Sequence, residues 1–301
     1  IGPRFGGLLN ATLGNAAELI ITIIAIRAGQ LTLVRASIIG SVIGNILLVL
    51  GASILLGGLK NGVQRFSREN AGIDATMLIL AVIAISVPSI FNVAIEPNKL
   101  AVEELSLLTA AVMLVIYGLA ILYQFKSATP DSHMAGAIET SHTAHRWNPR
   151  VALGILVAAV VGIAVMSEFL VGSVEPVTEA LGMSTFFVGI IIIPLIGNVA
   201  EHMVAVQVAM KNRMDLSVSI ANGSSLQIAL FVAPVLVFLS LILGNPLTLE
   251  FNNFELIALT ASAVIAAFIS VDGRSNWLEG AMLLAVYAIL ALAFFFLPAV
   301  M

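Results

Sequence analysis

Apolar residues fill most of the chain in long blocks, each near the roughly 20 residues that a helix needs to cross a bilayer. Nine blocks are predicted as spanning helices: 6–27, 35–58, 71–92, 101–124, 149–172, 184–211, 215–243, 253–271 and 275–298. Pro88, Pro194 and Pro234 fall inside three of them and predict kinks, since neighbouring helices can satisfy the freed backbone groups. Glu175 to Gly182 predicts a short polar connection. Asp74, Glu103 and Glu104 fall at predicted helix starts, where acids suit the helix dipole as solvated caps. The longest polar stretch, 125–148, carries His133, His142 and His145 and predicts a loop between two halves.

Composition fits this pattern. Hydrophobic residues make up 60% of the chain, charged residues 10%, and mean hydropathy is +1.09; a soluble domain carries about 25% charged residues. The lipid bilayer is therefore an expected partner. A net charge of −4 without a basic run argues against nucleic acid. The absence of cysteine excludes disulfides, thiolate metal sites and a cysteine nucleophile.

Threading the nine helices up and down places Arg4, Lys60, Arg65, Arg68, Lys126, Arg146, Arg150, Lys211, Arg213 and Arg274 on one side. Only Arg27, Arg35 and Lys99 fall on the other, so the first side, with the 125–148 loop, is expected to be cytoplasmic.

Within this apolar background one pentapeptide occurs twice. Gly14-Asn15-Ala16-Ala17-Glu18 and Gly197-Asn198-Val199-Ala200-Glu201 each sit inside a predicted span, with a constant offset of 183 residues. A carboxylate at mid-membrane costs roughly 2.5–3.5 kcal/mol on insertion scales, and two at matching places point to function. Three helices follow the first motif helix before the central loop; one precedes and three follow the second. The simplest organisation is two five-helix units, 1–124 and 149–301, with the opening helix of the first missing from this chain. The motif helices are then an odd number of crossings apart and run in opposite directions. The fold class expected is thus an all-α, polytopic transmembrane bundle built on an inverted repeat, the pattern of secondary transporters with a midplane site.

Helical spacing places Thr12, Asn15, Glu18 and Thr22 on one face of the first motif helix, and Pro194, Asn198 and Glu201 on one face of the second, with His202 beside it. Gly14 and Gly197 weaken each helix one turn before its Glu, leaving room for backbone carbonyls to turn toward an ion. The helix after each motif is polar too: Gly40-Ser41-Val42-Ile43-Gly44-Asn45, and Asn222-Gly223-Ser224-Ser225-Leu226-Gln227. Matching Asn45 to Gln227 gives an offset of 182, one less than that of the motifs. Two carboxylates with amide, hydroxyl and backbone oxygens suit a hard divalent cation, and a flexible oxygen cage favours Ca²⁺ over Mg²⁺; softer metals would want Cys or several His.

Residues 6–19, Gly40-Ser41 through Leu50-Gly51, Gly197 through His202, and Gly223-Ser224-Ser225 with Gln227-Ile228-Ala229 resemble the cation/proton exchangers of the calcium/cation antiporter superfamily. The resemblance covers essentially the whole chain in order. It implies exchange of cytosolic Ca²⁺ for protons, with Glu18 and Glu201 as central ligands and Asn15, Ser41, Asn45, Asn198, Ser224 and Gln227 as supporting groups. His202 matches the His that this branch places after its second Glu. Family members carry further helices upstream of this chain's start. The related sodium/calcium exchangers place an acid where Gln227 stands, which favours protons as the counter-ion.

Other assignments remain open at this level. Small and polar residues such as Asn15, Asn198, Ser41 and Ser224 also join helices in membranes, which a non-transporting scaffold would need. His202 is either a proton-transfer group or a packing residue. Glu168, deep in its helix, is a candidate for a proton route alongside Glu18, Glu201 and His202. The His-bearing loop suits a solvated connection. No nucleophile–base pair and no His-Glu-x-x-His is present, so an enzyme ranks last. No cofactor is expected, Ca²⁺ being a substrate. Sodium/calcium exchange on the same fold is the alternative function. The membrane would be a prokaryotic plasma membrane or a vacuole-type membrane, and a homo-oligomer is an open option.

Overall fold

The computed structural model describes residues 14–94, 99–127 and 148–297. Its helices are α1 (Ala16–Arg27), α2 (Leu31–Asn61), α3 (Arg68–Ala94), α4 (Lys99–Ser127), α5 (Pro149–Leu181), α6 (Thr185–Gly197), α7 (Val199–Met210), α8 (Met214–Ile242), α9 (Asn253–Ser270) and α10 (Trp277–Phe296). Among the described residues seven helices are long and apolar enough to span a membrane, and α6 with α7, bent by 59°, makes an eighth. The remaining predicted span, 6–27, is described only from Gly14 onward, so Thr12 and Arg4 lie outside the described residues. The chain is a multi-pass α-helical membrane protein.

Two expectations need correction. The stretch 175–182 is no polar connection but the last two turns of α5. Pro176 removes one backbone donor, a loss an exposed helix face tolerates, and the Thr178 hydroxyl donates to the Glu175 carbonyl at 2.8 Å. The helix stops only at Gly182, whose φ of 64° is the left-handed conformation that ends helices. Likewise α3 begins at Arg68, which leaves Asp74 in its second turn, half-buried, rather than at a solvated start. Helix α4 also reaches to Ser127, inside the predicted loop, while α5 starts at Pro149 as expected; the loop's histidines lie outside the described residues.

The first half of α2 crosses α6 at very close range. A Cβ at Gly40 would overlap the Ile190 carbonyl, and one at Gly189 would stand 2.8 Å from the Ala36 Cβ. The second half of α2 packs on α7 and α10, with Gly280 seated on the backbone of Gly51 and Leu55. Small residues let membrane helices approach in this way, where no hydrophobic drive between helices exists. Three spans carry a π-helical turn: Gly44–Val49 in α2, Val188–Ile192 in α6 and Ile228–Val232 in α8. Pro194 and Pro234 lie two residues past the second and third, where a missing donor lets the ladder widen. Pro88 sits inside an uninterrupted helix.

The two ends of the bundle are tied across the halves. At one end Asn61 donates to the carbonyls of Ala209 and Met210 at 3.2 and 3.3 Å, and Gln64 donates to Ala209 at 2.8 Å, capping α7. There Gln64–Arg65 (β1) also pairs antiparallel with Arg274–Ser275 (β2). At the other end of α2, Asn245 donates to the Ile26 carbonyl at 2.9 Å, capping α1, and Arg35 donates to Thr248 at 3.3 Å. Lys60, Arg65, Arg68, Lys211, Arg213 and Arg274 therefore share one end, Arg27 and Arg35 the other, as the up-and-down threading predicted.

The Gly40 crossing yields a paired prediction. Gly40→Val should lower the melting temperature of the detergent-solubilised protein and its folded yield, overpacking of this kind costing about 1–3 kcal/mol. Gly44→Ala, where a Cβ meets nothing within 4 Å, should be tolerated; equal loss in both would remove this account.

Candidate ion-binding site

Both repeated motifs break their helix at the same residue. Asn15 has φ −94° and ψ 19°, Asn198 φ −103° and ψ 7°, and a new helix begins at the next residue in each case. Asn at the N-cap with Glu three residues on is the spacing of a capping box. Neither asparagine makes the capping bond. Asn15 Nδ2 instead donates to Gln227 Oε1 at 2.6 Å, and its Oδ1 lies 3.0 Å from Ser224 Oγ. Asn198 Nδ2 turns back to the Pro194 carbonyl at 3.2 Å, leaving its Oδ1 buried without a partner.

The two breaks lie against one another. A Cβ on Gly14 would overlap Glu201 Oε1, and a Cβ on Gly197 would stand 3.2 Å from Glu18 Oε1. Each motif glycine thus faces the glutamate of the other motif. The expectation that these glycines serve chiefly to loosen their helices misses this: the backbone break falls one residue later, at Asn, and the glycines make room for a carboxylate from across the molecule.

The carboxylates differ in their surroundings. Glu18 is 2% exposed and neither of its oxygens has a hydrogen-bond partner among the described residues. Glu201 is half-buried, and its Oε2 accepts from Ser224 Oγ at 2.7 Å. Among the described residues neither forms an ion pair with Lys or Arg. Burying an unpaired carboxylate is costly, several kcal/mol even after relaxation, so a cation is the natural complement.

The polar helices supply the remaining groups. Ser41 and Asn45 of α2 are buried, Asn45 within the π-helical turn, and Ser41 Oγ and Asn45 Nδ2 have no partner among the described residues. Ser224 and Gln227 of α8 bond directly to the motif residues. His202 is half-buried with an unpartnered Nε2. Glu168 is exposed on α5 and so stands outside the buried cluster. Asn222, buried with an unpartnered Oδ1, was not among the expected site residues; its place in the second polar motif was the available signal. No group of three or more His, Cys, Asp or Glu converges among the described residues. A metal held between Glu18 and Glu201 would draw otherwise on amide, hydroxyl and carbonyl oxygens, the donor set of a hard cation.

The sequence matches the model of the sodium/calcium exchanger protein family over residues 2–126 and 151–296. The chain belongs to this family. Among its exchanger relatives, a Ca²⁺/H⁺ antiporter of Aphanothece halophytica is 47% identical, over 100% of this chain and 84% of that protein. The Ca²⁺/H⁺ antiporter ChaA of Bacillus subtilis is 42% identical, over 98% and 84%. The vacuolar calcium ion transporter of Schizosaccharomyces pombe is 36% identical, over 99% and 73%. The solved structure of native YfkE superposes with a TM-score of 0.85 at 42% identity, over 98% of this chain and 84% of that one. The H⁺/Ca²⁺ exchanger CAX shares the fold at 16% identity and a TM-score of 0.67. The resemblance read from the motifs agrees with these relatives.

The glycine contacts generate a prediction for this exchanger. Gly14→Ala should displace the Glu201 carboxylate from Ser224 and weaken divalent cation binding by about ten-fold, the equivalent of one lost charge-assisted bond. Gly223→Ala, which meets nothing within 4 Å, should bind as the parent does. Calorimetric titration with Ca²⁺ compares the three proteins.

Proposed function

We propose that this exchanger is a secondary active antiporter that exports cytosolic Ca²⁺ in exchange for protons by alternating access. The observation that carries the reading is Glu18: a buried carboxylate with no hydrogen-bond partner, held against Gly197 where Glu201 enters from the opposite motif. Ca²⁺ binding requires both carboxylates ionised. With Ca²⁺ gone, two neighbouring carboxylates in low dielectric repel, and at least one takes up a proton. The two cargoes then compete for the same atoms, and competition couples their movements. Asn15, Asn198, Ser41, Asn45, Ser224 and Gln227 complete the oxygen-rich site, with His202 as a further proton-transfer group. The antiporter names of the relatives at 42–47% identity support this substrate pair. Gln227, a neutral amide bonded to Asn15, supports protons over sodium.

In the same proposal residues 1–124 and 149–301 form two inverted units joined by a cytoplasmic loop at 125–148. Recurrence of local structure supports it: the breaks at Asn15 and Asn198 are 183 residues apart, and the amide caps from Asn61 and Asn245, 184 apart, sit at opposite ends of the bundle. Either the Ca²⁺-loaded or the protonated site allows the units to rock; the bare, doubly charged site does not.

In inverted vesicles with an imposed proton gradient, Glu18→Gln and Glu201→Gln should each abolish uptake of radiolabelled Ca²⁺ while leaving the protein folded. Retained transport in both variants would end the proposal. Acidifying both faces of the vesicle equally should weaken apparent Ca²⁺ affinity in the parent, because protonation removes the ligand charge. A sodium gradient at fixed pH should drive no uptake; if it does, sodium is the counter-ion.

A further inference from the structure

The end of the bundle that carries β1 and β2 concentrates arginines in an unusual way. The antiparallel register places Arg65 directly opposite Arg274, and both are exposed. Like charges opposite one another across a ladder are destabilising, their Cβ atoms standing about 5 Å apart. The ladder continues with Phe66 N–H to the Gly273 carbonyl at 3.0 Å, and a Cβ on Gly273 would stand 3.2 Å from the Arg68 Cβ. Arg68 is thus the third member of the group. None of the three forms an ion pair with a carboxylate among the described residues. Asp272 is close in sequence, but its Oδ1 accepts the Arg274 backbone N–H at 2.9 Å. Glu69 lines the space beside Arg68, and Asp215 accepts the Ser67 N–H at 2.8 Å, so carboxylates share this end with the arginines.

From Arg68 an open depression runs along α3 and continues into a cleft between α3 and α9. Two adjoining cavities, of about 660 and 290 Å³, share Arg68, Gly72 and Thr76 and continue past Ile79, Ala267 and Val271. From 68 to 79 a helix rises roughly 16 Å, half the thickness of a hydrocarbon core. The hydroxyls in its wall are satisfied within their own helices: Thr76 donates to the Gly72 carbonyl at 2.9 Å and Ser270 to the Ala266 carbonyl at 2.8 Å. The walls are therefore largely apolar, Arg68 and Glu69 stand at the mouth, and Arg65 and Arg274 lie on the ladder beside Arg68.

We propose that this groove is a binding site for an anionic phospholipid, its phosphate held by Arg65, Arg68 and Arg274 and one acyl chain lying along Gly72, Thr76 and Ile79. The phosphate resolves the repulsion between the facing arginines, and guanidinium forks suit it. An apolar slot leading from that charge into the bilayer selects a lipid over a soluble anion. The site is separate from the glutamate pair and does not rest on the transport reading.

The test uses the full chain in neutral detergent, titrated with phosphatidylglycerol, phosphatidylcholine or inorganic phosphate and read by native mass spectrometry. One phosphatidylglycerol should bind in preference to phosphatidylcholine. Each arginine near a membrane surface contributes about five-fold in affinity, so the triple variant R65Q/R68Q/R274Q should lose about 100-fold. Gly72 faces open space, and Gly72→Leu should block the chain and weaken lipid binding while leaving all three arginines in place. Undiminished phosphatidylglycerol binding in both variants, equal binding of phosphatidylcholine, or inorganic phosphate displacing the lipid from the groove at equal concentration would each overturn the site.

Discussion

The structure turns on how closely two helix breaks approach. A carboxylate in an apolar interior is stable only where something offsets its lost hydration, and here two of them reach the same small volume from different halves of the chain. What permits the approach is the absence of two side chains. Gly14 leaves space for Glu201, and Gly197 leaves space for Glu18. A methyl group at Gly14 would occupy the place of Glu201 Oε1, so the pentapeptide Gly-Asn-x-x-Glu is a single geometric device. Glycine admits the partner's acid, asparagine ends the ladder, and glutamate on the first turn of the next helix projects toward the other motif.

That device needs a frame that does not drift. The frame is built from long-range backbone satisfaction at the helix ends. Carbonyls in the last turn of a helix lack intrahelical partners, and in α1 and α7 side-chain amides from the opposite half supply donors. The downstream ends of the two motif helices are therefore anchored, and the breaks at Asn15 and Asn198 lie at their upstream ends. The π-helical turns in α2, α6 and α8 add to this, since they widen the ladder beside the polar segments.

Much of this was legible before any coordinates. The apolar blocks located α2 to α4 and α6 to α10 to within about four residues, though α5 runs nine residues past its predicted end, and the 183-residue offset picked out the two breaks. Polarity misled at 175–182, because Glu175, Thr178 and Glu179 are compatible with an exposed helix face and their hydrophilicity does not by itself end a helix. Other features had no local signature. The reciprocal glycine contacts join residues 187 and 179 positions apart, and the cap from Asn245 onto Ile26 spans 219. Asn222 was visible only as part of a polar run, and nothing in the run says which of its members will be buried without a partner.

The repeated motifs are alike in sequence and unlike in environment. At the motif offset Ser41 corresponds to Ser224. Ser224 donates to Glu201 and lies 3.0 Å from Asn15 Oδ1, whereas among the described residues the hydroxyl of Ser41 bonds nothing and Glu18 has no donor. Two halves in identical arrangement would present the site equally to both sides of the membrane. A carrier that exposes its cargo to one side at a time must hold its halves differently at any moment. In the proposed alternating-access cycle, one satisfied and one unsatisfied glutamate would be the form such inequality takes, and a half-cycle would exchange the two environments.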